Sequence, residues 1–468
     1  MSTVRRKNRA ALAFGVPVAA RRGDGGLRAK EIPMARSSRA RTVAAAFCTA
    51  FVLGPILSAK PAHGQTVPPG GKPDAQPVAQ SAPPAGTDTV DVFDVIRKLR
   101  HKQLTAEQKA AALDPATRMY AIAPVIGYKP SSGVMIGVAG NVAFFRGDPR
   151  TTHISSTVTS LTVSSLKQTS FTARFSVFGR DDRWEIDGDN RAQWTSQNTF
   201  GLGTSTVPED EVNMKFDYFR LYDTVNVTLR RNVLAGIGFH YSAHVDVGPG
   251  EDAEAGWSES PYVAYSEANG LPLESQTSAG VSVNLRVDTR DSAINAGRGW
   301  MASMSYRPVF EDFLGGDSTW QELYLDARTY RALDARGRHR IAFWLWGDFV
   351  GSGIAPFLDL PATGMDKYGR SGRGYAEGRF RGERLVYGEI EYRGTLTDNG
   401  LLGLVAFINT TTLTNSQSGE RLFDGFATGA GVGLRVLLNK RSKTNLCFDF
   451  GVGKQGSKGL YLAVQEAF

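Results

Sequence analysis

Ala279-Gly280-Val281-Ser282-Val283-Asn284-Leu285-Arg286-Val287-Asp288 places an apolar side chain at every odd position and a small or polar one at every even position. Successive side chains on a strand point to opposite faces, so this segment reads as a strand with one apolar and one polar face. Leu446, Phe448, Phe450 and Val452 alternate with Asn445, Cys447, Asp449 and Gly451 in the same way. Ala430, Val432, Leu434, Val436 and Leu438 alternate with Gly429, Gly431, Gly433 and Arg435. The period continues from Arg118 to Phe468, and the polar face carries charges and glycines.

A soluble sandwich would alternate too, with its apolar face inward. Four features favour an inside-out barrel in lipid. The segments run about 9–14 residues, close to what a tilted membrane strand needs. Aromatics such as Tyr128, Phe144, Trp184, Trp257, Trp300, Tyr306 and Tyr392 recur at segment ends, where interfacial girdles sit. Long connections (198–213, 248–274, 352–381) follow odd-numbered segments, as extracellular loops do when the N-terminus is periplasmic. An export signal precedes the body. The expected fold is therefore all-β: a transmembrane antiparallel barrel of about sixteen strands over 118–468, ending on Phe468 with Leu460, Leu462 and Val464 on its face. Glu466 interrupts that apolar row.

The leader occupies 1–64. Basic residues from Met34 to Arg41 precede an apolar run from Thr42 to Leu57, and Ala62-His63-Gly64 offers a cleavage site. Met34 is an alternative start to Met1. Residues 65–90 are Pro/Ala-rich linker. Val92, Val95, Ile96 and Leu99 fall on one helical face, and Thr105-Ala106-Glu107-Gln108 reads as a capping box, so 91–117 should hold short amphipathic helices. A tether, a plug or a partner-docking element at 91–113 would each fit.

The chain's formal charge of +8 misleads. Residues 1–64 hold twelve Lys and Arg against two acids, which leaves the rest at −2. That excludes a basic nucleic-acid-binding body. Two cysteines, Cys48 and Cys447, allow no disulfide framework. His240 and His244, four apart on a strand, stand roughly 13 Å from each other, too far to share a zinc ion. Gly429-x-Gly431-x-Gly433 lies within a strand and opens no helix, so it is no phosphate loop. No nucleophile–base signature, metal site or cofactor motif appears, and an enzyme is not expected.

Two motifs narrow the family. One is Gly372-Arg373-Gly374-Tyr375, closing the loop before Leu385-Val386-Tyr387-Gly388-Glu389-Ile390-Glu391-Tyr392-Arg393. The other is Asp288-Thr289-Arg290-Asp291 followed by Gly297-Arg298-Gly299-Trp300. Together, in this order, they resemble the BamA/TamA/FhaC superfamily of outer-membrane barrels, also called bacterial surface antigens. The resemblance implies a loop folded into the lumen, with Arg373 set against inward carboxylates. Glu389, Glu391 and Arg393 share the inward face of strand 12. Relatives place an inward Asp on strand 13 as partner for the arginine, but Asn409 stands there. The clamp then rests on Glu389 or Glu391, or is weaker. The roughly fifty residues between Gln65 and Arg118 leave no room for a POTRA domain of the family kind, so a barrel without POTRA domains is expected.

The function implied is an outer-membrane insertase or translocase working without nucleotide. It would assist outer-membrane protein insertion, polypeptide export or lipid transport in a Gram-negative bacterium. Its partners would be outer-membrane lipids, an unfolded outer-membrane protein or lipid substrate, and a periplasmic partner at 91–113. A passive pore and a partner-anchoring barrel are the alternatives.

Overall fold

The computed structural model describes residues 89–100, 118–129, 132–250 and 253–468. The leader, most of the linker and the second expected helix lie outside the described residues. One short helix, α1 (Val92–Leu99), precedes the sheet. Asp91 accepts the Asp94 N–H and Asp94 accepts the Asp91 N–H, a reciprocal cap that fixes where α1 starts.

Sixteen antiparallel strands follow and close into a barrel. They are β1 (Met119–Lys129), β2 (Gly133–Phe144), β3 (Ser155–Ser164), β4 (Thr169–Phe178), β5 (Trp184–Thr199), β6 (Val212–Arg230), β7 (Val233–Pro249) and β8 (Ser275–Asp288). The second half is β9 (Gly299–Val309), β10 (Trp320–Ala332), β11 (His339–Gly353), β12 (Arg384–Thr395), β13 (Leu402–Leu413), β14 (Ala427–Asn439), β15 (Thr444–Gly453) and β16 (Lys458–Val464). The long connections 200–211, 250–274, 354–383 and 414–426 all follow odd-numbered strands and lie at one end, the extracellular one in the orientation above.

Alternation decides what each face meets. Ile390, Ile408, Val432, Leu434, Phe448, Phe450 and Val452 are exposed on the outer wall, where acyl chains would cover them. Their neighbours Glu389, Glu391, Asn409, Arg435 and Asp449 are buried on the inner wall, and so is Cys447.

The barrel closes unevenly. Neighbouring strands elsewhere share between seven registered pairs (β15–β16) and sixteen (β5–β6). Between β1 and β16 one pair is in register, Tyr128 opposite Leu460. It lies at the extracellular end of the seam.

The end of the chain departs from the sequence expectation. The last strand stops at Val464, and Gln465 takes a left-handed φ of 78°. That turn swings Phe468 off the lipid face and into the lumen, where its ring lies 5.2 Å from that of Trp344. Phe468 therefore does not share a face with Leu460. Glu466 explains the turn: its carboxylate pairs with Arg435 inside the barrel and would have been stranded in lipid on a straight strand. Trp257, expected in a girdle, packs instead within the extracellular roof against Tyr262.

Candidate functional site

The loop 354–383 between β11 and β12 folds into the lumen. Its tip rests on a bed of glycines on the inner faces of β14 and β15. A Cβ added at Gly429 would stand 2.6 Å from the Arg373 carbonyl oxygen, and one at Gly451 2.8 Å from the Gly374 nitrogen. Gly374 itself has φ 112°, a conformation that a side chain would strain.

Arg373 is 1% exposed. Its Nη2 donates to Glu389 and Glu391 on β12, and its Nη1 donates to Asp449 on β15 at 2.7 Å. The guanidinium lies 3.7 Å from the centre of the Phe407 ring. Asn409 does not meet the guanidinium; its Nδ2 donates to the Arg373 carbonyl at 2.9 Å. Tyr387 donates its hydroxyl hydrogen to Glu389. Arg393 donates to Glu391 at 2.6 Å and to the Phe468 carbonyl at 2.9 Å. Arg435 joins Asp449 at 2.5 Å to Glu466 at 2.7 Å. Three arginines thus interleave with four carboxylates. A buried array of this kind persists only when every charge has a partner.

The flanking residues add neutral bonds. The Gly374 N–H donates to the Tyr461 hydroxyl at 2.9 Å, which donates in turn to the Tyr375 carbonyl at 2.8 Å. Tyr375 donates to the Thr428 carbonyl at 2.5 Å. The tip therefore touches β12 through β16, the C-terminal side of the seam.

The base of the loop is held separately. Arg381 donates to the carbonyls of Phe357, Leu358 and Leu360 at 2.9–3.1 Å and to Gln197 at 3.1 Å. Lys367 pairs with Asp187 at 2.7 Å, and Asp359 accepts from Ser242 at 2.7 Å and Ser278 at 2.6 Å. Burial works against both loop arginines, with opposite outcomes. For Arg373 the charges of Glu389, Glu391 and Asp449 outweigh burial and hold the guanidinium well above its usual value. Arg381 has mainly carbonyl acceptors, and burial, offset only in part by Asp359, pulls it down to about 10.

A roof covers the extracellular mouth. A second helix, α2 (Pro261–Ala268), buries Tyr262 and Tyr265 against Phe357, and the Tyr265 hydroxyl donates to the Ala355 carbonyl at 2.9 Å. What remains open in the lumen is a cavity of about 440 Å³ along the β3–β10 wall, lined by paired charges such as Arg220, Arg307, Glu185 and Glu322.

The second motif lies apart from the tip and builds a turn. Asp288 pairs with Arg290 at 2.6 Å, and Asp291 accepts from the N–H groups of Gly297 at 2.8 Å and Arg298 at 3.2 Å. Gly299 starts β9 with φ 97°, and Trp300 is exposed on the outer wall. His240 bonds the Ser282 hydroxyl at 2.8 Å, while His244 stacks on Tyr218.

Sequence reasoning missed Asp449, Arg435, Glu466 and Tyr461 as members of the site. Alternation already put Asp449 and Arg435 on the inner face. Nothing local said that the loop tip, 76 residues before Asp449, would land on it.

A family model described as the Omp85 superfamily domain matches residues 145–458. Among solved structures the chain is similar to BamA from Haemophilus ducreyi lacking POTRA domains 1–3, at 15% identity over 75% of this chain and 69% of that one, with TM-score 0.48. It is also similar to CdiB from Acinetobacter baumannii, at 10% identity over 74% and 59%, TM-score 0.48. For CdiB from Escherichia coli the figures are 12%, 74% and 61%, TM-score 0.46. The chain spans about three fifths of the two CdiB chains. No curated protein matches.

Proposed function

Since the chain belongs to the Omp85 superfamily and is an outer-membrane barrel of that insertase and translocase kind, we propose that it inserts polypeptide laterally into the outer membrane through the β1–β16 seam. The observation that carries this reading is the single registered pair closing that seam, against at least seven elsewhere. Backbone groups in hydrocarbon have no water to bond, so a sparsely paired strand edge gains from any incoming strand that pairs with it. Parting one registered pair costs far less than parting a full ladder.

The filled lumen favours this route over axial export. The roof of α2 and the seated loop occupy the extracellular half, and the free volume of about 440 Å³ suits water and a few side chains rather than a passing hairpin. Arg373, Glu389, Glu391, Arg393 and Asn409 act here as the frame that stiffens β12–β16, so that opening is confined to the seam. Asp288, Arg290, Asp291, Gly299 and Trp300 form a structural turn. No group does covalent chemistry.

A reversible tie tests the proposal. Extending the register of Tyr128 with Leu460 by two residues sets Ile126 opposite Leu462. In a Cys447→Ser background, Ile126→Cys with Leu462→Cys should abolish complementation of a deletion strain when oxidised and restore it when reduced. Outer-membrane proteomics and lipid analysis give the readout. A tied barrel that supports a normal outer-membrane proteome excludes lateral insertion, and a steady ion-selective conductance of the tied barrel would favour the passive pore.

A further inference from the structure

Helix α1 is bound to the barrel rim at the end opposite the roof, beside the unpaired part of the seam. Its polar side holds the rim formed by the turns after β12 and β14. The Val90 N–H donates to the Asn399 carbonyl at 3.0 Å. The Lys440 N–H donates to Asp91 at 3.1 Å, and the Lys440 ammonium donates to Asp94 at 2.8 Å and to the Thr89 carbonyl at 3.1 Å. Its apolar side reaches further. Val92 and Phe93 pack on a cluster made of Leu438 from β14, Val464 from β16 and Ala121 from β1.

Val464 and Ala121 stand on opposite flanks of the seam. The one registered pair lies at the other end, so Met119–Gly127 of β1 and Tyr461–Val464 of β16 have no partners in register across it. Val92 and Phe93 join the two flanks where the ladder does not. Ion pairs and backbone bonds fix α1 to the β12–β15 side, while the reach to β1 is apolar contact alone. A contact of that kind is non-directional and opens without stranding a polar group.

We propose that α1 is a releasable latch on the seam. Seated on the rim, it keeps the periplasmic ends of β1 and β16 together. Displaced by an unfolded polypeptide with apolar side chains that compete for the Ala121, Leu438 and Val464 cluster, it frees both edges for pairing. The inference rests on the seam reading above.

Hydrogen exchange on the full chain in lipid nanodiscs tests it, because that readout is independent of insertion. Deleting residues 89–100 should speed amide exchange across 119–127 and 461–464 by roughly fivefold or more and leave β5–β8 unchanged. Phe93→Asp should do the same while the cap and Lys440 bonds stay available. Conversely, Asp94→Cys with Lys440→Cys in a Cys447→Ser background, joined by a short bifunctional maleimide, should hold exchange in both segments at or below the wild-type rate. This last variant keeps the helix and reads the latch even if the deletion fails to fold. Equal exchange at both segments in the deleted, substituted, cross-linked and wild-type proteins overturns the latch. That result leaves the seam reading standing, since the reading fails only if the 126–462 tie leaves insertion intact.

Discussion

Replacing Arg373 by Ala removes one guanidinium and strands three carboxylates. Glu389 and Glu391 are fully buried and Asp449 nearly so, and Arg435 remains to serve Asp449 alone. Removing one partner of a buried ion pair costs about 3–5 kcal/mol. Loss of the contact over Phe407 adds about 0.5–2 kcal/mol. Arg381, Lys367 and Asp359 still hold the base of the loop, so the cost falls on seating the tip and not on the barrel. At about 1.4 kcal/mol per tenfold, the unseated population of the tip rises roughly 10²- to 10⁴-fold. Hydrogen exchange over residues 362–382 of the folded protein measures that population directly. Arg373→Lys keeps the charge but loses the planar fork, and should fall between wild type and Ala. Adding Glu389→Gln to Arg373→Ala removes one stranded charge and should recover part of the loss. Exchange in the Ala variant within twofold of wild type, with the barrel still folded, would refute the reasoning. So would strict additivity of the two substitutions, because residues that share a network are coupled.

Three further outcomes are expected. Asn409→Asp, which moves the chain towards the pattern of its relatives, should destabilise the tip by about 1–3 kcal/mol, because it removes the donor to the Arg373 carbonyl and adds a charge to an array already rich in carboxylates; unchanged exchange at residues 372–375 would contradict this. Gly451→Ala should loosen the same tip with no change of charge, since its Cβ would stand 2.8 Å from the Gly374 nitrogen, and a crystal structure with the tip unmoved would count against the glycine bed. Burial opposes the charge of Glu466, but Arg435 and Arg393 outweigh it and lower its pKa from 4.5 to about 2, so its contribution is present in full above about 4.5 and is lost as pH falls towards 2; wild type should lose thermal stability over that window more steeply than Glu466→Gln, and parallel curves would remove the clamp on the turn.

Much of the candidate site was legible in the sequence because alternation is local. Glu389, Glu391 and Arg393 could be assigned to an inner wall from their own strand alone, and Arg373 to a loop from the glycines around it. Asn409 shows the limit. Its place on β13 was readable, but its role was not: the missing carboxylate comes from Asp449, two strands away. Phe468 shows another limit. The apolar row before it implied a straight strand, yet the demand of Glu466 for a cation turned the chain inward.

By itself the sequence determined the barrel, its number of strands and the face that each side chain meets, because a period of two states those facts within each short segment. Which carboxylates meet Arg373, how thinly β1 meets β16 and where α1 sits were decided only by the tertiary structure. Those contacts join segments tens to hundreds of residues apart, and closing a ring sets them through the register of every strand between, which no local pattern carries.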